Sequence, residues 1–341
     1  MAATTSVQAP PLLSVRDLTV RFRTRAGTIT AVDGVSFDLA EGETLAVLGE
    51  TGSGKSVTAQ ALMGLVPRPA GRITGGEIHY GGVDLLTRPA AESRRLNGTD
   101  LAMVFQDPLS SLNPVFRVGT QIGEPFRRRR GASRAQARRK AIELMERVGI
   151  PAAARRVDDF PHQFSGGMRQ RVMIAMALAL QPKVLIADEP TTALDVTVQA
   201  QIMALLAELK AEHRMSMIMI THDLGVVAGV ADRVMIMYAG RVAETGPLRE
   251  VYEAAGHPYT RGLMASIPEV SGQRDRLTPI PGSPPDLTRL PGGCPFRPRC
   301  SFATDVCAAE RPALLPVPTR PATHLAACHH AEEVVTDGVA G

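Results

Sequence analysis

The sequence has no tryptophan and, among 341 residues, only nine phenylalanines and four tyrosines. Its core must therefore be aliphatic, and the aromatic platforms on which single-stranded nucleic acids stack are scarce. It also lacks a long apolar run. The longest, Val172 to Leu180, has nine residues, against the ~20 of a membrane-spanning helix. The opening residues Met1-Ala2-Ala3-Thr4-Thr5-Ser6 show no basic start followed by an apolar stretch, so no secretory leader is expected. Cysteine is missing from the first 293 residues, which excludes a disulfide framework through the bulk of the chain. With 44% apolar and 21% charged residues, a soluble intracellular globular protein of about two domains is the expectation.

A broad excess of either charge is absent too. The net charge is +4, and its source is local: eight cations and no acid lie between Arg127 and Lys140, while the remainder is slightly acidic. A nucleic-acid footprint would spread its basicity more widely, so neither DNA nor RNA is expected as a partner.

To about Thr245 the chain alternates β-branched or apolar runs with helical stretches, the pattern of a parallel α/β sheet. Leu45–Leu48, Val184–Ala187 and Met217–Ile220 read as buried strands, each ending in glycine or polar residues. In open α/β sheets chemistry collects beyond such carboxyl ends. Between about 107 and 165 the strand rhythm stops. Ser133 with Gln136 reads as a capping box, and Ala137, Ala141, Leu144, Met145 and Val148 repeat at helical spacing, so a helical insertion is expected there. From Gly256 onward the composition changes: residues 279–321 hold eleven prolines and three of the four cysteines. Such a segment cannot build a conventional core and is expected to be held by cross-links or docking.

Gly49-Glu50-Thr51-Gly52-Ser53-Gly54-Lys55-Ser56 fits G-x-x-x-x-G-K-[ST] between a strand and a helix. Its glycines let backbone N–H groups converge on phosphate oxygens, Lys55 would reach the β- and γ-phosphates, and Ser56 would ligate Mg²⁺. The strand Val184–Ala187 delivers Asp188 and Glu189. Asp188 would hold Mg²⁺ through its shell, and Glu189 would polarise an attacking water. His222 follows a third strand and could donate to a γ-phosphate, while Gln106, at the junction with the helical insertion, could touch Mg²⁺ or water. Phe164-Ser165-Gly166-Gly167-Met168 opens another helix with Ser165 as its cap. It is a second anion cradle, fitted to a nucleotide bound by a partner chain.

The ordered set GETGSGKS, Gln106, FSGGM, LIADEP, Thr192-Ala193-Leu194-Asp195 and Thr221-His222-Asp223 resembles the ATP-binding subunits of ABC transporters. That resemblance implies an α/β P-loop nucleotide-binding domain over 13–250, with a helical subdomain at about 107–165. It implies an ATPase that closes head to tail with a second such subunit, a paralogue or an identical copy, on two ATP molecules. Residues Gly49 to Ser56 and Thr58 would hold the nucleotide, with Phe22 stacked on adenine. Ser165, Gly166, Gly167 and Met168 would face the partner's γ-phosphate, and Asp195 would lie at the interface. Met168 departs from the glutamine common in relatives.

Gly256-His257-Pro258-Tyr259-Thr260, the proline-rich stretch and Cys294, Cys300, Cys307 and Cys328 resemble the C-terminal extension of dipeptide and oligopeptide importers, here 251–341. The resemblance implies a [4Fe–4S] cluster on the four cysteines; four thiolates also suit Zn²⁺, with His329 and His330 nearby. It further implies uptake of di- or oligopeptides through two integral membrane permeases, fed indirectly by an extracytoplasmic solute-binding protein. The chain would then be peripheral on the cytoplasmic face of the membrane. Importers of metal chelates or sugars are an alternative, as is a soluble ABC ATPase working on nucleic acid or ribosomes. The run Arg127–Lys140 reads as one solvated helix face, or as a contact with membrane subunits or anionic head groups. Asn97-Gly98-Thr99 reads as a turn rather than a glycosylation site.

Overall fold

The computed structural model describes residues 10–25, 27–192, 194–266 and 279–339; Ala193 and the first six residues lie outside them. Twelve strands are present among the described residues: β1 (Leu13–Thr24), β2 (Gly27–Leu39), β3 (Thr44–Leu48), β4 (Gly71–Tyr80), β5 (Val83–Asp84), β6 (Leu101–Val104), β7 (Val184–Asp188), β8 (Ser216–Thr221), β9 (Arg233–Tyr238), β10 (Arg241–Pro247), β11 (Leu315–Pro316) and β12 (Leu325–Ala326).

They form two sheets. The larger has the order β11-β12-β10-β9-β3-β8-β7-β6, in which β9, β3, β8, β7 and β6 run parallel. Both faces of these strands are covered, so they read as continuous apolar runs rather than alternating ones. Leu45 and Val47 face one core with Ile218, Ile220 and Ile186, while Ala46 and Leu48 face the other with Met217, Met219 and Leu185. The three strands expected from the sequence are there, and their carboxyl ends share one edge because they are parallel neighbours.

The remaining strands differ from the expected parallel pattern. β1, β2, β4 and β5 form a separate antiparallel sheet of order β2-β1-β4-β5. Its Leu13, Val15, Leu18, Val20 and Ile78 are fully buried against the larger sheet's second face. Strands of 12 and 13 residues that pair antiparallel as far as Thr24 opposite Gly27 belong to a hairpin, which needs no crossover helix.

The helical insertion occupies the first face of the larger sheet. Val118–Arg130 and Arg134–Arg147 pack antiparallel, and the Ser133–Gln136 capping box starts the second as expected. The basic run is not one helix face. Arg127–Arg130 close the first helix, Gly131 turns the chain with φ +64°, and Arg134–Lys140 open the second. Several of its charges are paired: Arg128 with Glu124, Arg138 with Asp158 and Lys140 with Glu143. Asn97-Gly98-Thr99 is a turn at the end of the helix Ala90–Leu96, Gly98 at φ +86°.

The proline-rich extension is less independent than its composition suggests. Its β12 pairs with β10 and extends the larger sheet. Cys294, Phe296 and Cys307 join the main core, while Val317, Ala326 and Val335 close a small one around Ala254. A buried carboxylate ties the junction: Glu244 of β10, fully buried, accepts hydrogen bonds from the backbone N–H groups of Gly256 (2.7 Å) and His257 (3.0 Å), with His324 Nε2 at 2.7 Å.

Candidate functional site

Four strand tips meet at one edge. β3 feeds residues 49–54 into the helix Lys55–Leu62, β7 ends at Asp188 before Glu189, β8 ends at Thr221 before His222, and β6 leads to Gln106. The loop 49–54 needs its glycines for a steric reason. Gly54 has φ +106°, and a Cβ there would come within 2.5 Å of the Ala31 carbonyl oxygen. The loop is therefore pressed onto the backbone of β2 and the β9–β10 turn.

Lys55 is 5% exposed. Its Nζ donates to the carbonyl oxygens of Gly49 (2.6 Å) and Glu50 (3.0 Å). Burial pushes its pKa down, opposed by the carboxylates of Glu189, Asp188 and Glu50. Ser56 Oγ donates to Asp188 Oδ1 at 3.0 Å. Burial raises the Asp188 carboxyl's pKa, the Ser56 bond lowers it, Glu189 raises it and Lys55 lowers it again. A buried carboxylate and a hydroxyl on one side of a lysine make a hard-oxygen donor set that suits Mg²⁺. Thr58 Oγ1 donates to the Gly54 carbonyl (3.0 Å) and steadies the loop from within the helix. Ser53 Oγ is buried without a partner.

Glu189 is held from three sides. Its Oε2 accepts from Gln106 Nε2 (2.9 Å) and Thr192 Oγ1 (2.8 Å), and its Oε1 lies 3.5 Å from His222 Nδ1. Its φ of +45° is left-handed for a residue with a side chain, a conformation that recurs at working sites and costs about 1–3 kcal/mol. The structure thus brings together Gln106, Asp188, Glu189 and His222 with Lys55 and Ser56. Thr192, read from sequence only as part of a motif, belongs with them as a donor to Glu189.

The second cradle lies elsewhere. Ser165 caps the helix Gly166–Leu178, its Oγ accepting from Met168 N–H at 3.4 Å. A Cβ on Gly167 would come within 2.7 Å of Val198 Cγ1, so glycine is what lets this turn seat on the helix Val196–His213. Asp195 caps that helix by accepting from Val198 N–H (2.9 Å), placing Asp195 beside the second cradle. Met168 receives the Arg156 guanidinium on its sulfur at 3.4 Å. Among the described residues no hydrogen bond joins 165–168 to 49–56. Phe22 sits on β1, half-buried, packed against Gly71 and the core of the antiparallel sheet.

No disulfide joins the four cysteines, and all of them line one cavity, together with His257, Phe296, Pro312, His329 and His330. Burial pushes the thiol pKa values of Cys294 and Cys300 up, and that of Cys328 up to about 12. The His330 N–H donates to Cys328 Sγ at 3.4 Å, and nearby backbone N–H groups offset part of the burial cost at Cys294 and Cys300. Among the described residues no three His, Cys, Asp or Glu side chains are placed to hold a single metal ion. No helix among them is long and apolar enough to cross a membrane.

One feature had no signal in the sequence. Arg299, next to Cys300, forms a bidentate pair with the Glu50 carboxylate at 2.6 and 3.0 Å, across 249 residues. Tyr259 Oη accepts from Glu50 N–H at 2.7 Å.

Residues 32–192 match the family described as "ABC transporter", and 243–307 match "Oligopeptide/dipeptide transporter, C-terminal region". The oligopeptide transport ATP-binding protein OppD of Bacillus subtilis is 51% identical over 313 residues, covering 91% of this chain and 87% of that one. Among solved structures, a dimeric ATP-binding cassette in a post-hydrolysis state bound to ADP and Pi aligns with a TM-score of 0.62 at 28% identity, covering 70% of this chain and 99% of that one. The cbiO1 protein of Clostridium perfringens, part of an ABC transporter complex, aligns with a TM-score of 0.60 at 30% identity, covering 72% and 91%. The phosphate loop, the acid-tipped strand and the Ser-Gly-Gly helix therefore sit in an ABC-type ATPase, and the chain belongs to the ABC transporter family, in the branch that carries the oligopeptide/dipeptide transporter C-terminal region.

Proposed function

We propose that the chain powers import of di- or oligopeptides by binding and hydrolysing ATP between two ATP-binding subunits. The observation that carries the mechanism is the grip on Glu189: two donors hold one carboxylate oxygen and leave the other facing His222. Loop 49–54, Lys55, Ser56 and Thr58 would hold the triphosphate, with Phe22 toward the adenine. Ser56 and Asp188 would hold Mg²⁺, which supplies charge neutralisation at the β- and γ-phosphates. Glu189 then takes a proton from water, His222 orients the reacting group, and Gln106 reports to the helical insertion whether that water is in place. Ser165, Gly166, Gly167 and Met168 would complete the partner's site, with Asp195 alongside.

The peptide assignment rests on the matched C-terminal region and the printed name of OppD. Docking to two membrane permeases on the cytoplasmic face is supported by exposed apolar side chains in the stretch that follows β6: Phe105, Leu109, Val115 and Phe116. A paralogue as the second subunit, and a solute-binding protein upstream, complete the reading. In reconstituted vesicles holding the whole complex, peptide uptake should require ATP and vanish in Lys55→Ala. Uptake that persists in that variant refutes the assignment.

For the extension we propose a [4Fe–4S] cluster on Cys294, Cys300, Cys307 and Cys328. Four thiols around one cavity, with the His330 N–H donating to Cys328 Sγ, suit a cluster, whose ligands bond different irons and stand farther apart than those of one zinc. Protein purified without oxygen should be brown and carry iron and sulfide in equal amounts. Colourless protein with stoichiometric zinc rejects the cluster.

A further inference from the structure

We infer that Arg299 and Tyr259 of the C-terminal extension are positioning residues of the nucleotide site, clamping Glu50 and so fixing the phosphate loop. The inference rests on Lys55 and its loop being that site. Glu50 is fastened on both its backbone and its side chain. Its N–H donates to Tyr259 Oη (2.7 Å), and its carboxylate takes the two-pronged Arg299 guanidinium (2.6 and 3.0 Å). Its carbonyl oxygen accepts from Lys55 Nζ (3.0 Å) and from Ser53 N–H (3.2 Å). A single residue therefore separates the extension from the lysine that meets the phosphates.

The clamp is itself rigid. Arg299 is 5% exposed at its side chain. Its Nε donates to the Pro281 carbonyl (2.7 Å), and its guanidinium carbon stands 6.0 Å from the centre of the Tyr238 ring and 5.9 Å from that of Phe296. Tyr259, fully buried, packs with ring centroids 4.7 Å from Tyr238 and 5.5 Å from Phe296. Phe296 lies on the cysteine-bearing loop, as Arg299 does, so that loop and the end of β9 form one aromatic block behind the phosphate loop.

Electrostatics explain why the pair must be an arginine and an acid held together. A free carboxylate at Glu50 would sit within the loop meant to receive a polyanion and repel it. The planar fork of Arg299 cancels that charge and fixes its direction at once, which a point-charge lysine does less well.

The test is equilibrium binding of mant-labelled ATP to the full chain, with amide exchange at residues 50–53. Arg299→Ala should weaken binding about tenfold, the scale of one charge-assisted hydrogen bond, and speed exchange of those amides. Adding Glu50→Gln to Arg299→Ala should recover part of the loss, because it removes the unmasked charge; a purely structural role predicts no recovery. Tyr259→Phe should speed exchange of the Glu50 amide and weaken binding a few-fold. A folded Arg299→Ala that binds within about twofold of wild type, or no recovery in the double variant, overturns the clamp. If Arg299→Ala does not fold, unchanged exchange and affinity in Tyr259→Phe overturn it instead. Lys55→Ala is the control: normal binding there would refute the site, not the clamp.

Discussion

Replacing Glu189 by glutamine separates chemistry from binding. The amide has the shape of the carboxylate and accepts the same φ of +45°, so no new backbone strain enters. Its carbonyl can still accept from Gln106 or Thr192, which stand 2.9 and 2.8 Å from Oε2. What it cannot do is take a proton from water. A positioned general base contributes roughly 10²–10⁴-fold, about 3–5 kcal/mol of barrier, and no other carboxylate is free to substitute: Asp188 is bonded to Ser56 at 3.0 Å. Lys55, Ser56 and the loop N–H groups are untouched, so affinity for ATP should hold or rise slightly as a negative charge leaves. The assay is single-turnover phosphate release from the assembled complex beside equilibrium binding of an ATP analogue. Turnover within threefold of wild type would falsify the role of Glu189 as base, and a parallel loss of affinity would show that the side chain acts on binding instead.

Lys55→Ala should lower nucleotide affinity at least about tenfold, read by titration with a fluorescent ATP analogue, because a desolvated cation is lost from the phosphate site. Glu244→Ala strands two backbone N–H groups and His324 in a fully buried junction. It should destabilise by about 3–5 kcal/mol, measured as urea-dependent proteolysis of the extension, whereas a loss below about 1 kcal/mol rejects the junction as a tie. The chain alone in dilute solution should hydrolyse ATP far more slowly than the assembled complex. Equal rates per site would mean that no partner cradle is needed.

Much of the site was legible because its residues act through short local spacings. Gly54-Lys55-Ser56 and Asp188-Glu189 each sit at the end of a strand whose apolar run marks it as buried, and a parallel sheet then places those ends on one edge. The capping box at Ser133 was readable for the same reason, since cap and helix are three residues apart. The antiparallel sheet was not, because β1 and β2 carry bulges, and their polar faces mask the alternation that would mark a hairpin. The basic run misled because Gly131 turns the chain within it, and charge alone says nothing about where a helix stops. Arg299 was invisible for a deeper reason. Its meaning lies in a partner 249 residues earlier, and only the docking of a proline-rich segment against Tyr238 and Tyr259 brings the two together.

The division of labour between the two helix N-termini follows from the charges around them. The helix Lys55–Leu62 begins with a buried cation and lies against Asp188, so it can meet a triphosphate and a metal together. The helix Gly166–Leu178 begins with a hydroxyl and bare N–H groups. Its neighbouring arginines are otherwise engaged, Arg156 over the Phe164 ring and on the Met168 sulfur, Arg169 with Nε on the Pro161 carbonyl. N–H groups and a hydroxyl can direct an anion but neutralise little of its charge. Such a cradle would therefore work on a phosphate already countered by a lysine and a metal. Within one chain, residues 165–168 seat on the helix that Asp195 caps, and among the described residues they make no hydrogen bond to 49–56. In the proposed mechanism the neutralised phosphate would be presented by another chain, so that closure of two subunits would serve charge balance as much as shape.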